Sequence, residues 1–183
     1  LTEIIGIPPE RHGQVTGLLI TMHEIVVLAL VSFAGGLSDR LGRRPLYATG
    51  TLIAGAGFAI YGMASTVGDL YAGRFVYAIG LAFVGVMIAV TAADYPAESS
   101  RGKIAGVSGV LNGLGIGLAT ALFAALPTIF KAQGMSSADA GRYMLFVMAG
   151  LAALTALIMQ VGLKGGTPSG RSARISLPRI LQI

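Results

Sequence analysis

Five long stretches with few or no charged residues dominate this chain of 183 residues. They run over 14–37, 46–65, 70–93, 104–130 and 143–163. Each stretch is close to or above the ~20 residues that an α-helix needs to cross the hydrocarbon core of a bilayer. Only 11% of the residues are charged, whereas soluble domains carry about a quarter. The sequence therefore predicts a multi-pass integral membrane protein, with the lipid bilayer as its surroundings.

The spans are predicted to be helices, because lipid offers the backbone no hydrogen-bond partner. Transmembrane strands would alternate apolar and polar residues, and these stretches are apolar throughout. The predicted fold class is all-α, with a five-helix transmembrane bundle over 14–163.

Lys and Arg residues predict the orientation of the chain, since they collect in cytoplasmic loops. Nine of the 13 Lys and Arg residues fall in alternate loops and one terminus: Arg40, Arg43, Arg44, Arg101, Lys103, Lys164, Arg171, Arg174 and Arg179. Residues 1–13 are then an extracytoplasmic segment, and residues 164–183 form a cytoplasmic linker or tail, in a protein of the plasma (inner) membrane. The net charge of +5 reflects mostly this asymmetry and does not indicate nucleic-acid binding.

A compact charged loop lies between the first two spans. Residues 35–45 read GGLSDRLGRRP, with Gly36, Asp39, Arg40, Gly42, Arg43 and Arg44 at fixed spacing. This loop resembles the signature loop of the major facilitator superfamily, which joins helices 2 and 3 of a twelve-helix transporter. The alternative is a basic membrane turn in which Gly and Pro merely end one helix and begin the next.

Two further segments are similar to the same family. Arg74, followed by Ala78 and Gly80, resembles its helix-4 motif, although Ala78 replaces a glycine. Asp94-Tyr-Pro through Arg101-Gly resembles the elements that end helix 4 and begin helix 5. The resemblance implies helices 2 to 6 of the first half, an incomplete six-helix half whose partners are a missing helix 1 and the C-terminal half. Helices 8 to 12 remain an alternative.

The resemblance also implies a conformational latch at the cytoplasmic surface. Asp39 and Arg43 would form a relay with Asp94 that holds one state of an alternating-access cycle. The other motif residues, Gly36, Arg40, Gly42 and Arg44, would shape this latch. A carboxylate at a helix C-terminus needs cationic partners, because it faces the negative end of the helix dipole. The alternative is that these charges only set the topology.

Ionisable residues inside a membrane span are candidates for function. Glu24 lies near the middle of the first span and shares a face with Thr21, so we expect a proton or substrate site there. The alternative for Glu24 is a hydrogen bond between helices. Arg74 either contributes to this site, as the resemblance implies, or reaches the headgroups. Asn112 and Ser108 form a polar stripe that lines the cavity or bonds to neighbouring helices, and His23 is expected to be packed or hydrogen-bonded.

Small residues recur at every fourth position of the fourth span, where they form a ridge: Ala105, Gly109, Gly113, Gly117, Ala121 and Ala125. Such ridges let membrane helices approach closely, so Gly109, Gly113 and Gly117 predict a packing seam. The family's antiporters often carry Pro and Gly where this chain has Leu114 and Leu118, which argues against a drug–proton antiporter.

The predicted function is a secondary active transporter that moves a small solute by alternating access. Uptake of a metabolite coupled to a proton, or to another ion, is favoured because Glu24 and Arg74 could take part in the coupling. An efflux antiporter is the alternative. A half-bundle that serves only a structural or partner-binding role is an alternative of another class. The sequence shows no pairing of a nucleophile with a base, so an enzyme is not predicted. No cofactor is expected. With no Cys and two His residues, no metal site is predicted.

Overall fold

The computed structural model describes residues 6–94, 99 and 101–162. Within that part, the chain forms five long helices: α1 (Pro9–Leu41), α2 (Arg43–Met63), α3 (Val67–Asp94), α4 (Arg101–Ala132) and α5 (Ser137–Gly162). All five are long and apolar enough to cross a membrane. The predicted all-α membrane fold is confirmed. The cytoplasmic tail predicted for 164–183 lies outside the described residues.

The helices extend beyond the apolar stretches that predicted them. α1 begins at Pro9 and ends at Leu41, so it includes residues of the flanking polar segments. This extension is physically reasonable, since the bilayer limits the apolar length of a helix but not its polar ends. Part of the predicted extracytoplasmic segment 1–13 is therefore helical.

Gly42 alone separates α1 from α2. Its backbone has φ 88° and ψ 156°, and its amide donates a hydrogen bond of 3.0 Å to the Ser38 carbonyl. This region of backbone space is essentially restricted to glycine. The glycine of the charged loop is thus required by the sharp reversal between two membrane helices.

Short polar caps begin α3 and α5, the two helices that follow the loops at the other end of the bundle from the charged loop. Thr66 and Asp69 cap each other's backbone amides at the start of α3, at 2.8 and 3.2 Å. At the start of α5, the Asp139 amide donates to Ser136 Oγ and the Ser136 hydroxyl donates to Asp139 Oδ2, at 3.1 and 2.7 Å. Both pairs have the Ser/Thr-x-x-acid spacing of an N-terminal cap.

Glycines bring α2 against α3 at the centre of the bundle. A Cβ added to Gly57 would lie 2.7 Å from the Tyr77 backbone, and one on Gly50 would lie 2.8 Å from Phe83 Cβ. On α3, a Cβ at Gly80 would meet the backbone of Ala54. Small residues allow this close approach, which drives helix association in lipid. The interface was not predicted from the sequence.

The predicted packing seam on α4 has a different environment. α4 is exposed along nearly its whole length, and a Cβ at Gly109, Gly113 or Gly117 would meet no atom within 4 Å among the described residues. No other described helix covers this face. The packing role of these three glycines stays a prediction.

Candidate functional site

A cluster of polar and aromatic side chains lies where α1 meets α3. His23 of α1 is only 7% exposed, and its ring stacks on Tyr77 with centroids 5.8 Å apart and planes at 26°. The guanidinium carbon of Arg74 lies 5.6 Å from the centroid of the same Tyr77 ring. Phe58 of α2 contacts that ring too, at 4.9 Å. One tyrosine therefore joins a histidine, an arginine and an aromatic ring from three helices.

This cluster contains two buried nitrogen atoms without a partner. Neither His23 Nδ1 nor Arg74 Nε has a hydrogen bond in the described part of the chain. Tyr61 of α2 is a further neighbour of the Arg74 side chain. Leaving a buried polar atom unpaired costs about 1–3 kcal/mol, and here two such atoms belong to side chains that contact the same Tyr77 ring. The arrangement is typical of a site that binds another group.

Glu24 and Thr21 lie on the opposite, exposed side of α1. The Thr21 hydroxyl donates a hydrogen bond of 2.9 Å to the Gly17 carbonyl of its own helix, so it is satisfied locally. Glu24 follows His23 in the chain, but its side chain is exposed whereas that of His23 is buried. A shared proton or substrate site of Glu24 and Arg74 stays a prediction.

Asn112 lies elsewhere. It lines a cleft of about 660 Å³ with Ser108 of α4, Thr91 of α3 and Tyr47 of α2. Tyr47 is near the start of α2 and Thr91 is near the end of α3, so this cleft is at the end of the bundle that carries the charged loop. The described contacts do not join Asn112 to Arg74. No three His, Asp or Glu side chains of the described part are grouped so that they could hold a metal ion.

The charged loop surrounds the glycine between α1 and α2. Asp39, Arg40 and Gly36 are exposed, whereas Arg43 and Arg44 are partly buried. Gly36 and Arg40 line a small cleft of about 290 Å³ beside Phe33. Asp94, the third predicted member of the latch, is the last residue of α3, and its side chain lies outside the described part. The relay stays a prediction.

The sequence did not predict His23 as a candidate site residue. It was predicted to be packed, and it is, but its Nδ1 lacks the hydrogen bond that a purely structural histidine would make. A signal for its burial exists in the spacing: Val15, Leu19 and His23 recur at every fourth residue, and the first two pack in a hydrophobic cluster with Leu70 of α3. Residues four apart share a helix face, so His23 continues the buried stripe of α1.

Five helices that are long and apolar enough to cross a membrane define a multi-pass integral membrane protein. The sequence pattern of the Major Facilitator Superfamily matches residues 5–178. The chain belongs to this superfamily, as its charged loop indicated.

Several curated relatives are similar over part of the chain. It is 32% identical to the multidrug transporter protein MdtP of Bacillus subtilis over 58% of the chain and 20% of that protein. It is 34% identical to the class E tetracycline resistance protein of Escherichia coli over 55% of the chain and 24% of that protein. A magnetosome protein, MamZ of Magnetospirillum gryphiswaldense, is 32% identical over 58% of the chain and 18% of that protein. The matched regions are thus at most about a quarter of each of these relatives, and no solved structure matches the chain.

Proposed function

We propose that the chain supplies five helices of a secondary active transporter that moves a small solute by alternating access, with a proton as the coupling ion and uptake as the direction. The observation that carries this proposal is the cluster of His23, Tyr77 and Arg74 inside an apolar bundle. Polar and ionisable groups at membrane depth are expensive to keep, and they mark substrate and proton pathways.

We further propose that other helices of the same transporter cover the open faces of α1 and α4. Glu24 is exposed on α1 in mid-span, where contact with lipid would be costly. The glycine ridge of α4 is equally open and is suited to a close helix contact. A further helix of the first half and the C-terminal half are the partners that this proposal requires.

Glu24 is the proposed proton carrier of the coupled cycle. Replacement by Gln keeps the size and hydrogen-bonding capacity of the side chain but removes its proton exchange. We expect Glu24→Gln to lose accumulation against a gradient while it retains exchange of solute across proteoliposomes without a proton gradient. Unchanged proton-driven accumulation in this variant would exclude the coupling role of Glu24.

Efflux is the second candidate, and the names of two relatives favour it. One is a multidrug transporter and the other a tetracycline resistance protein. Leu114 and Leu118 on α4 depart from the glycine–proline pattern of the family's antiporters, which favours uptake. Membrane vesicles of both orientations decide between the two: uptake predicts proton-driven accumulation in right-side-out vesicles, and efflux predicts it in inverted ones.

The experiment that tests transport itself uses the product of the entire gene in proteoliposomes that contain a pH-sensitive dye. Addition of a transported solute should acidify or alkalinise the interior at a rate that saturates with solute concentration. Solutes that carry a carboxylate, a phosphate, an amine or no charge are screened in turn. No solute-dependent proton movement across this set, in a protein that is folded and inserted, would favour the structural half-bundle instead.

A further inference from the structure

We propose that His23 and Arg74 together bind an anionic group of the transported solute, a carboxylate or a phosphate. The inference rests on the proposed transport function and names the chemical class of its substrate. The two side chains come from neighbouring helices, α1 and α3, and both contact the ring of Tyr77. Together they form a polar site inside a bundle that is otherwise apolar around it.

The first argument is the hydrogen-bonding capacity that the cluster leaves unused. His23 Nδ1 and Arg74 Nε are both buried without a partner among the described residues. An arginine Nε is always a donor, and an imidazole nitrogen donates when it carries the proton. The charged oxygens of a carboxylate or a phosphate accept hydrogen bonds, and a guanidinium matches their geometry with two parallel bonds.

The second argument is charge. Arg74 is always protonated and is partly buried in the bundle, where a cation is costly unless an opposite charge pairs with it. Tyr61 and Tyr77 offer a hydroxyl and a ring face but no negative charge. Arg74 Nε has no hydrogen-bond partner, and so no carboxylate partner, among the described residues. An anion on the solute would supply the missing charge.

The same features disfavour other ligands. A cationic solute would meet Arg74 in a medium of low dielectric constant, where like charges repel strongly. A neutral solute would leave the Arg74 charge unpaired. The competing explanation is a carboxylate from another part of the same transporter, which would pair with Arg74 permanently.

The test measures thermal unfolding of the purified product of the entire gene in detergent. Potassium acetate and potassium phosphate are titrated against potassium chloride at equal ionic strength, at constant pH. We expect one of the two anions to raise the unfolding midpoint in a saturable manner. In Arg74→Gln and in His23→Gln, the half-saturating concentration should rise about tenfold or more, since each variant loses a buried hydrogen bond to a charged group.

Arg74→Lys is a second variant for the same titration, and it keeps the positive charge. Lys keeps the cation but lacks the planar fork of the guanidinium, so its half-saturating concentration should fall between those of the wild type and Arg74→Gln. The matched control is Arg142→Gln. Arg142 also has a buried Nε without a partner, but its Nη2 donates to the Ala64 carbonyl at 3.4 Å, so this variant should keep the anion dependence of the wild type.

Two outcomes of this titration would overturn the proposal. Equal stabilisation of Arg74→Gln and the wild type would place the anion elsewhere. No stabilisation of the wild type by either anion would indicate that a carboxylate of the protein already pairs with Arg74. Transport separates this failure from failure of the proposed function: accumulation of a neutral or cationic solute alone would refute the anion site and leave the transporter intact.

Discussion

Gly42 is the position in the charged loop where the backbone conformation requires glycine. Its φ of 88° and ψ of 156° lie in a region that residues with a Cβ essentially avoid. The residue therefore permits a reversal between α1 and α2 within one position. The spacing of the loop in the sequence predicted its family, and the structure supplies the physical reason for this glycine.

Replacement of Gly42 by Ala should strain the reversal between α1 and α2. We expect a loss of about 1–3 kcal/mol of unfolding free energy, measured by reversible unfolding in detergent. Gly36→Ala is the control, because Gly36 belongs to the same motif but lies within α1, and a Cβ there would meet nothing within 4 Å. Equal loss in both variants would contradict a specific backbone requirement at Gly42.

Asp39 is the residue on which the predicted latch depends. Asp39→Asn removes the charge and keeps the size of the side chain, so we expect transport to fall at least tenfold, a change of about 1.4 kcal/mol in the barrier between states. Insertion and the unfolding midpoint should stay near those of the wild type, since Asp39 is exposed. Normal transport by this variant would leave only a topological role for the charge.

At the scale of elements, the length and apolarity of the spans predicted that helices form, but they did not predict which helix faces meet. The every-fourth-residue ridge on α4 favoured a seam at Gly109, Gly113 and Gly117, but the close contact in the described part lies between α2 and α3. Gly50 and Gly57, like Gly73 and Gly80, are seven residues apart and so return to one face. Glycine spacing indicates that a helix can pack closely, whereas the partner depends on the rest of the bundle.

The α2–α3 interface gives a matched pair of substitutions on one helix. Gly80→Ala should lower the unfolding free energy by about 1–3 kcal/mol, because its Cβ would overlap the Ala54 backbone and overpacking forces the backbone to move. Gly85→Ala should be neutral or stabilise by up to about 1 kcal/mol, since nothing lies within 4 Å of a Cβ there. The interface assignment would be wrong if both variants unfolded at the same denaturant concentration.

At the scale of the whole molecule, the sequence was sufficient for the fold class and for the superfamily. Five apolar stretches and one charged loop carry that information locally. The polar cluster could not be predicted in the same way, because it brings His23 of α1 beside Arg74 and Tyr77 of α3, some fifty positions later in the chain. Its importance appears only once burial shows that Nδ1 of His23 and Nε of Arg74 lack partners.

The central claim is that this polar cluster serves solute transport. The most direct measurement is accumulation of solute by proteoliposomes under an imposed proton gradient, with the product of the entire gene and its Arg74→Gln variant. The account predicts accumulation of a carboxylate- or phosphate-bearing solute by the wild type, its collapse when the gradient is dissipated, and its loss in Arg74→Gln. Accumulation that is equal in the two proteins would contradict it.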